Sequence, residues 1–312
     1  MAKGVIPFRH RCALGSAGLQ ANDFVSCGFD KADVIICVGY DLVEYHPYLW
    51  HPDRDRCIIH IDHSPAETDG HYPVAVGVVG DIKHSLDRIA ALTTPHQGAH
   101  VRPLRERLVA EMDQHRDDLE FPVKPQKIIW DLRTALDLED IVVCDVGAHK
   151  MWMARMFRCE YPNTCIISNG FASMGIAVPG AIAAKLVYPE RHVVAVTGDA
   201  GFMMNSQEIE TAIRCKLPIV ILIWNDSSYG LIEWKQMNQF QRISNVRFNN
   251  PDFVTSAESF CARGYRVERT ADLPTILEQA LANNTVSIID CPVDYRENIN
   301  LTDQLGNLVC PT

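Results

Sequence analysis

Two stretches decide the fold: His192-Val-Val-Ala-Val-Thr-Gly-Asp-Ala-Gly201 and Ile219-Val-Ile-Leu-Ile-Trp-Asn-Asp226. Each begins with an apolar run of strand length and ends in polar residues. The acidic residues Asp199 and Asp226 are 27 positions apart (226 − 199), which leaves room for one helix between the strands. A strand, a helix and a second parallel strand form a right-handed crossover, so both strands end at the same edge of the sheet. The sequence therefore predicts that the two carboxylates share one crevice.

The same alternation of short apolar runs, turn residues and helical stretches recurs along the chain and is typical of βαβ units. We therefore expect an α/β protein with two Rossmann-like, doubly wound parallel-sheet domains, which suits a length of 312 residues. The predicted strands are 34–38, 57–61, 74–79, 141–144, 165–167, 192–196, 219–223, 265–267 and 286–289. The predicted helices include 82–92 with Asp81 as N-cap, 176–186, 206–215, and one capped by Asp272.

A polar, irregular segment separates the two series of elements. Residues 93–102 are followed by a charged helix predicted at 104–119, which ends before Phe121-Pro122. We expect a first domain at 1–95, a linker with a helix at 96–122 and a second domain at 123–312.

Composition excludes several classes of protein. The 29 Lys and Arg against 39 Asp and Glu give a net charge of −10, and the chain has no basic run, so nucleic acid is not an expected partner. The longest apolar run, Ile219 to Trp224, is too short for a membrane span. The 11 cysteines are scattered and odd in number, which argues against a disulfide framework and favours a cytoplasmic protein.

The paired acids indicate a metal site. Two carboxylates and a main-chain carbonyl near Ser228 suit Mg²⁺, which keeps few protein ligands and completes its shell with phosphate and water. The glycines let main-chain N–H groups approach a phosphate, and the helix that Asn205 or Ser206 with Glu208 is expected to start favours anions at its first turn. The expected ligand is a magnesium diphosphate.

Plainer interpretations remain open. A Gly-Asp pair after a strand is often only a turn. His60, Asp62, His63 and His71 form a possible second metal group, but they lack a firm ligand spacing and are more simply surface residues.

The motifs resemble those of thiamine-diphosphate-dependent enzymes, in which Gly-Asp-Gly is followed after one crossover by Asn-Asn or Asn-Asp. Within that family the chain is most similar to acetolactate synthases, and its stretch Val38 to Tyr45 resembles the catabolic type, which functions without FAD. The stretches that carry the resemblance are Asp145 to Trp152, Ser168 to Lys185, Gly198 to Ala212 and Asn225 to Lys235. The resemblance implies a partial middle domain followed by a diphosphate-binding domain.

The resemblance also implies roles for individual residues. Asp199 and Asp226 correspond to the Mg²⁺ ligands, with the carbonyl of Ser228 as a third. Met174 corresponds to the apolar wedge under the bent cofactor, and Trp234 to an aromatic residue of the second-substrate pocket. The full cofactor set is Gly147, Ala148, His149, Ser173, Met174, Gly198, Asp199, Ala200, Gly201, Phe202, Asp226, Ser228, Tyr229, Gly230, Leu231 and Ile232.

Structural explanations for some of these residues also remain. Packing in the core also explains a methionine at position 174. A role in anchoring neighbouring side chains also explains a tryptophan at position 234. His149 is explained by a position in a helix first turn without a ligand.

The chain departs from the family pattern in two places. Ala200 replaces the third glycine of the common signature, a change that some acetolactate synthases share. The family also has a pyrimidine-binding domain, with an activating glutamate, that has no counterpart in this sequence. No catalytic residue is therefore identified in this chain, which we expect to be inactive alone. Three explanations stay open: a truncated reading frame, a separate subunit, or a cofactor-binding module without turnover.

The implied reaction is decarboxylation of pyruvate and transfer of the resulting two-carbon unit to a second 2-oxoacid. The expected cofactors are thiamine diphosphate and Mg²⁺, without FAD. The expected partners are pyruvate or other small 2-oxoacids, and either further copies of the chain or a polypeptide that supplies the pyrimidine-binding domain. Another thiamine-diphosphate 2-oxoacid decarboxylase or oxidase is the alternative on the same fold.

Overall fold

The structure, a computed structural model, describes residues 2–17, 24–42, 45–67, 69–94 and 101–301. The chain divides into two compact units. The larger consists of Met1–Gly15 with Glu111–Asn300, and the smaller of Ser16–Ala110 with Leu301–Thr312.

The smaller unit contains a three-stranded parallel sheet in the order β1-β2-β3. Its core contains Ile35, Trp50, Ile58 and Tyr72. Asp81 caps α2 as predicted, since its Oδ1 accepts a hydrogen bond from the N–H of His84 at 2.7 Å. The elements of this part of the chain are α1 (Phe24–Asp30), β1 (Val34–Val38), a 3₁₀ turn (Pro47–Leu49), β2 (Cys57–Asp62), β3 (Val74–Val79), α2 (Ile82–Leu92) and α3 (Arg102–Asp113).

The larger unit contains a six-stranded parallel sheet in the order β5-β4-β6-β7-β9-β8. Two parallel sheets with intervening helices confirm the α/β class. The elements are α4 (Pro125–Ala135), β4 (Ile141–Cys144), α5 (Ala148–Met156), β5 (Cys165–Ile167), α6 (Ala177–Val187), β6 (Val193–Gly198), α7 (Asp199–Met204), α8 (Glu208–Arg214), β7 (Val220–Asn225), α9 (Gly230–Phe240), α10 (Phe253–Ser259), β8 (Arg263–Arg266), a 3₁₀ turn (Thr270–Asp272), α11 (Leu273–Leu281), β9 (Ser287–Pro292) and a second 3₁₀ segment (Tyr295–Leu301).

The central strands of this sheet are buried on both faces. Every residue of β4 is buried, as are the first five residues of both β6 and β7. On one face, Val193, Ala195, Ile221 and Ile223 pack in a single core with residues of α6, α8 and α10. Burial of both faces explains why these strands appear in the sequence as continuous apolar runs rather than as alternating ones.

Several predicted helices differ from the structure. A short helix, α7, begins at Asp199, and α8 then covers only Glu208–Arg214 with no side-chain N-cap bond, so the expected cap at Asn205 or Ser206 is wrong. The helix predicted at 104–119 ends at Asp113. Asp272 precedes α11 without capping it, because its carboxylate pairs with Arg269.

The division of the chain also differs from the predicted limits 1–95, 96–122 and 123–312. Residues 2–15 belong to the larger unit, where the N–H of Phe8 donates to the carbonyl of Cys159 at 2.8 Å. Glu111 belongs to it as well and forms an ion pair with Arg155 at 2.8 Å. These contacts join residues far apart in the chain, which local sequence patterns do not reveal. The domain limits stay a prediction.

The cysteines do not form a disulfide framework in the part of the chain that the structure describes. Cys27 is disulfide-bonded, and the nine other described cysteines are free. Among the described helices, none combines the length and the apolar character needed to cross a membrane.

Close packing of α10 on β8 leads to a stability prediction. A Cβ on Gly264 would lie 2.7 Å from the Cα of Val254 and 2.8 Å from its carbonyl oxygen, so the backbones must separate to accept alanine. We expect Gly264→Ala to lower the free energy of unfolding by about 1–3 kcal/mol, the usual effect of overpacking. A Cβ on Gly170 would meet nothing within 4 Å, so Gly170→Ala is the control. Urea unfolding measures both, and equal stabilities would contradict the packing described here.

Candidate functional site

Three neighbouring strands of the larger sheet are followed directly by acidic residues. Asp145 follows β4, Asp199 follows β6, and Asp226 follows β7. β6 lies between the other two strands, and all three are parallel. Because the carboxyl ends of parallel strands meet at one edge, these acids lie in the same region of the molecule.

Asp199 is almost completely buried, with 1% of its surface exposed. Its Oδ1 accepts a hydrogen bond from the N–H of Ala200 at 2.8 Å. Its Oδ2 accepts bonds from the N–H of Ser227 at 2.7 Å and from Nδ2 of Asn250 at 2.7 Å. Burial raises the pKa of Asp199, and these hydrogen bonds act in the opposite direction. The carboxylate thus ties the end of β6 to the turn after β7.

Asp226 lies beside this carboxylate and is partly buried. Burial, followed by the negative charges of Asp199 and Glu233, raises the pKa of Asp226 to about 8. Gly230, the first residue of α9, lies so close that a Cβ there would be 2.6 Å from Asp226 Oδ2. Glycine at this position therefore makes room for the carboxylate. The arrangement concentrates negative charge in a place that favours a cation.

The hydroxyl of Ser228 is already hydrogen-bonded. It donates to Oε2 of Glu233 at 2.6 Å, and Arg247 donates to the other oxygen of Glu233 at 2.8 Å. A metal contact from Ser228 would therefore come from its main-chain carbonyl, which is the atom that the sequence singles out.

His149 lies in the first turn of α5, after Gly147 and Ala148. Burial lowers the pKa of His149 to about 4, so the ring is neutral at pH 7. A Cβ on Gly198 would lie 3.4 Å from the ring, and the centroid of Trp224 is 6.3 Å from its centroid. The ring thus lies at the carboxyl ends of β6 and β7.

The residues after Asp199 face in different directions. Ala200 and Gly201 are buried, and a Cβ on Gly201 would lie 3.1 Å from Oδ1 of Asp145. The ring of Phe202 packs edge to face on Phe253 in the core, with centroids 5.5 Å apart. Any contact of Phe202 with a ligand would therefore involve its main chain.

Two segments that contain candidate cofactor residues are less buried than Asp199 and His149. In the loop between β5 and α6, Ser173 is exposed and Met174 is half-buried. In α9, Leu231 and Trp234 are half-buried and Ile232 is exposed. The ring of Tyr229 packs against Phe248 with centroids 5.2 Å apart. These roles stay predictions.

Sequence reasoning missed two residues at the site. Asn250 links Asp199 to Asn225, since its Nδ2 also lies 2.9 Å from Oδ1 of Asn225. Tyr295 is stacked on Trp224 with centroids 6.3 Å apart, and burial followed by the charge of Asp226 raises its pKa. Neither residue belongs to a recognisable motif, and no local signal marks them.

Three buried polar atoms at this edge of the sheet have no hydrogen-bond partner among the described residues. They are Nε2 of His149, Nε1 of Trp224 and Oδ1 of Asn250. Buried polar atoms are normally paired, so three unpaired ones beside two crowded carboxylates fit a polar ligand and a cation. The residues present therefore suit a metal-bound anion such as a diphosphate.

The second metal group considered from the sequence has other contacts. Nδ1 of His60 lies 2.8 Å from the hydroxyl of Tyr72, and His71 lies beside Asp69 and Arg54. Within the described residues, no cluster of three or more His, Cys, Asp or Glu side chains is arranged to hold a metal ion.

Two protein families together match most of the chain. Residues 145–291 match the family described as "Thiamine pyrophosphate enzyme, C-terminal TPP binding domain". Residues 1–89 match "Thiamine pyrophosphate enzyme, central domain". The first match begins at Asp145 and includes Asp199 and Asp226, and therefore the whole cluster of acids.

Curated relatives carry related descriptions. Acetolactate synthase of Bacillus subtilis (strain 168) is 39% identical over 92% of this chain and 51% of its own length. Catabolic acetolactate synthase of Raoultella terrigena is 34% identical over 93% of this chain and 53% of its length. A probable acetolactate synthase large subunit of Methanocaldococcus jannaschii is 32% identical over 99% of this chain and 54% of its length. The chain spans about half the length of the curated relatives it matches.

The crowded carboxylates lead to a prediction about pH and stability. The folded pKa of Asp226, about 8, is above the ordinary value of an unfolded aspartate. The folded state therefore binds this proton more tightly, and the contribution of Asp226 to the free energy of unfolding of the metal-free protein falls as pH rises from about 4 to about 8. Asp226→Asn removes the charge. At pH 8 we therefore expect the free energy of unfolding of this variant to exceed that of the wild type by about 1–3 kcal/mol, with no such excess at pH 4. Denaturant unfolding at both pH values measures this difference.

Asp252→Asn is the control for this experiment. Hydrogen bonding from the N–H of Thr255, followed by Arg266, lowers the pKa of Asp252, so the charge on this residue favours the folded state. Its replacement gives no gain in stability at pH 8. A wild type as stable as Asp226→Asn at pH 8 would contradict the burial of Asp226 beside other carboxylates.

Proposed function

We propose that this chain, which belongs to the thiamine pyrophosphate enzyme family, binds thiamine diphosphate through a Mg²⁺ ion held by Asp199 and Asp226. One observation carries the proposal. Two carboxylates lie at the ends of adjacent parallel strands, and burial, followed by the charge of Asp199, raises the pKa of Asp226 to about 8. A divalent cation between them would remove this repulsion, and oxygen ligands are those that Mg²⁺ prefers.

The remaining contacts are assigned by chemistry. The carbonyl of Ser228 is the third protein ligand of the metal. The N-terminus of α5, with Gly147, Ala148 and His149, contacts the diphosphate, since main-chain N–H groups and the helix dipole favour an anion there. The unpaired Nε2 of His149 supports this assignment.

The overall activity that we propose is that of an acetolactate synthase. Bound thiamine diphosphate supplies an electron sink for cleavage of the bond between the carboxylate and the carbonyl carbon of a 2-oxoacid. The residues of this chain bind and orient the cofactor, and the half-buried Trp234 lines the pocket for the second 2-oxoacid. The relatives named acetolactate synthase support pyruvate as the substrate.

The proposal also covers the location of the protein, its use of FAD and its assembly. We propose a cytoplasmic protein that functions without FAD, in an oligomer or with a polypeptide that supplies the pyrimidine-binding domain and its glutamate. A second candidate is a cofactor-binding subunit without turnover.

Removal of one carboxylate tests the metal site. In calorimetric titration of thiamine diphosphate in the presence of Mg²⁺, we expect Asp199→Asn to weaken binding at least about tenfold, because one anionic ligand is lost. Glu139→Gln is the matched control, since Glu139 is an exposed acid just before β4, at the opposite end of the sheet. Equal affinities of Asp199→Asn and the wild type would refute the ligand assignment.

Product analysis separates the proposed activity from the alternatives. With pyruvate, thiamine diphosphate and Mg²⁺, we expect no turnover by the chain alone. Addition of a polypeptide carrying the pyrimidine-binding domain should give CO₂ and acetolactate. CO₂ with a different product would indicate another 2-oxoacid decarboxylase or oxidase. Tight cofactor binding without CO₂ in either mixture would indicate the non-catalytic subunit.

A further inference from the structure

The loop between β5 and α6 is held at its first residue, where Nζ of Lys150 donates to the carbonyl of Ser168 at 3.2 Å, and at its far end near Gly175. Phe171 near its tip is 96% exposed, whereas Gly175, just before α6, is buried. The segment Ser173–Met174 lies between these two environments. Its position therefore depends on what holds Gly175.

The carboxylate of Asp145 binds both the end of this loop and the start of α6. Its Oδ1 accepts hydrogen bonds from the N–H of Val146 at 2.7 Å and from the N–H of Gly175 at 2.9 Å. Its Oδ2 accepts from the N–H of Ala177, the first residue of α6, at 3.0 Å. Asp145 is 1% exposed, so these bonds form away from water, where bonds to a charged acceptor are strong.

The other side of Gly175 is held by a second residue. Nδ2 of Asn205, which follows α7, donates to the carbonyl of Gly175 at 2.8 Å. Gly175 has a φ of +87°, which places its N–H and its carbonyl within reach of both partners. A Cβ at this position would lie 2.7 Å from Asn205 Nδ2, so glycine is also required for the approach.

The neighbouring helix α7 packs against the same carboxylate. A Cβ on Gly201 in α7 would lie 3.1 Å from Oδ1 of Asp145 and 3.0 Å from Oγ1 of Thr197. Asp145 therefore lies at the point where the ends of β4, the β5–α6 loop and α7 meet.

We propose that Asp145 and Asn205 are positioning residues, which together form a clamp on Gly175 that fixes Ser173 and Met174 at the cofactor site. The role of Met174 in this inference rests on the proposed function, whereas the clamp itself does not. Asp145 holds the N–H of Gly175, and Asn205 holds its carbonyl. Neither residue needs to touch the cofactor.

Asp145→Asn tests the clamp without cofactor. Asparagine keeps the shape of the side chain but turns one acceptor into an NH₂ group that faces main-chain N–H donors. Amide hydrogen exchange of peptides covering residues 168–180 should become about tenfold faster or more, as expected for the loss of one charge-assisted bond. Asp140→Asn is the matched control, because Asp140 is a buried acid just before β4 that accepts N–H bonds from His192 at 2.9 Å and Asp137 at 2.8 Å.

Asn205→Ala tests the other side of the clamp, with Gln207→Ala as its control. Gln207 is exposed and contacts Asn205 at 3.3 Å without reaching Gly175. In titration with thiamine diphosphate and Mg²⁺, Asp145→Asn and Asn205→Ala should bind about tenfold more weakly or worse, whereas both controls bind as the wild type does.

The outcomes separate the clamp from the proposed function. Unchanged exchange at residues 168–180 in Asp145→Asn, or equal acceleration in Asp140→Asn, would overturn the clamp. A wild type that does not bind thiamine diphosphate would refute the proposed function, and the exchange data would then decide the clamp alone. If Asp145→Asn does not fold, hydrogen exchange of the wild type tests the clamp instead. The amides of Gly175 and Ala177 should then exchange as slowly as those in the interior of α6. Exchange at these amides as fast as at Phe171 would overturn the clamp.

Discussion

The site depends on two carboxylates that the fold brings together and partly buries. Parallel strands β6 and β7 end at one edge of the sheet, so Asp199 and Asp226 lie side by side and partly out of water. Burying like charges in this way costs free energy, and main-chain N–H groups and Asn250 offset part of it at Asp199. The repulsion that remains is what a divalent cation would relieve. Among the described residues, the fold thus provides two neighbouring carboxylates for the cation site that we propose.

The strands and the acids at their ends could be predicted from the sequence, because local sequence patterns encode them. The apolar runs before Gly198 and Asn225 are continuous because β6 and β7 are buried on both faces, and this pattern predicted the bounds of both strands to within two residues. The rule for parallel crossovers then placed Asp199 and Asp226 at one edge. The α/β class follows from the same reasoning repeated along the chain.

The residues that complete the site could not be predicted, because they reach it from distant parts of the chain. Asn250 meets Asp199 across 51 positions, and Asn205 meets Gly175 across 30. Asp145 lies within a motif, yet its sequence neighbours do not show that it holds the start of α6. The helix α7 was missed for another reason: Asp199-Ala-Gly-Phe appears as a turn in the sequence, whereas in the structure it is helical and Phe202 packs in the core.

The measurement that tests the central claim most directly is the location of a metal ion. Crystals of the protein grown with thiamine diphosphate and Mn²⁺ in place of Mg²⁺ would give an anomalous signal at the ion. We expect a peak that one oxygen of Asp199 and one of Asp226 both approach within about 2.0–2.2 Å, with the diphosphate completing the shell. A peak bound by neither carboxylate, or by only one of them with the other turned away, would contradict the account.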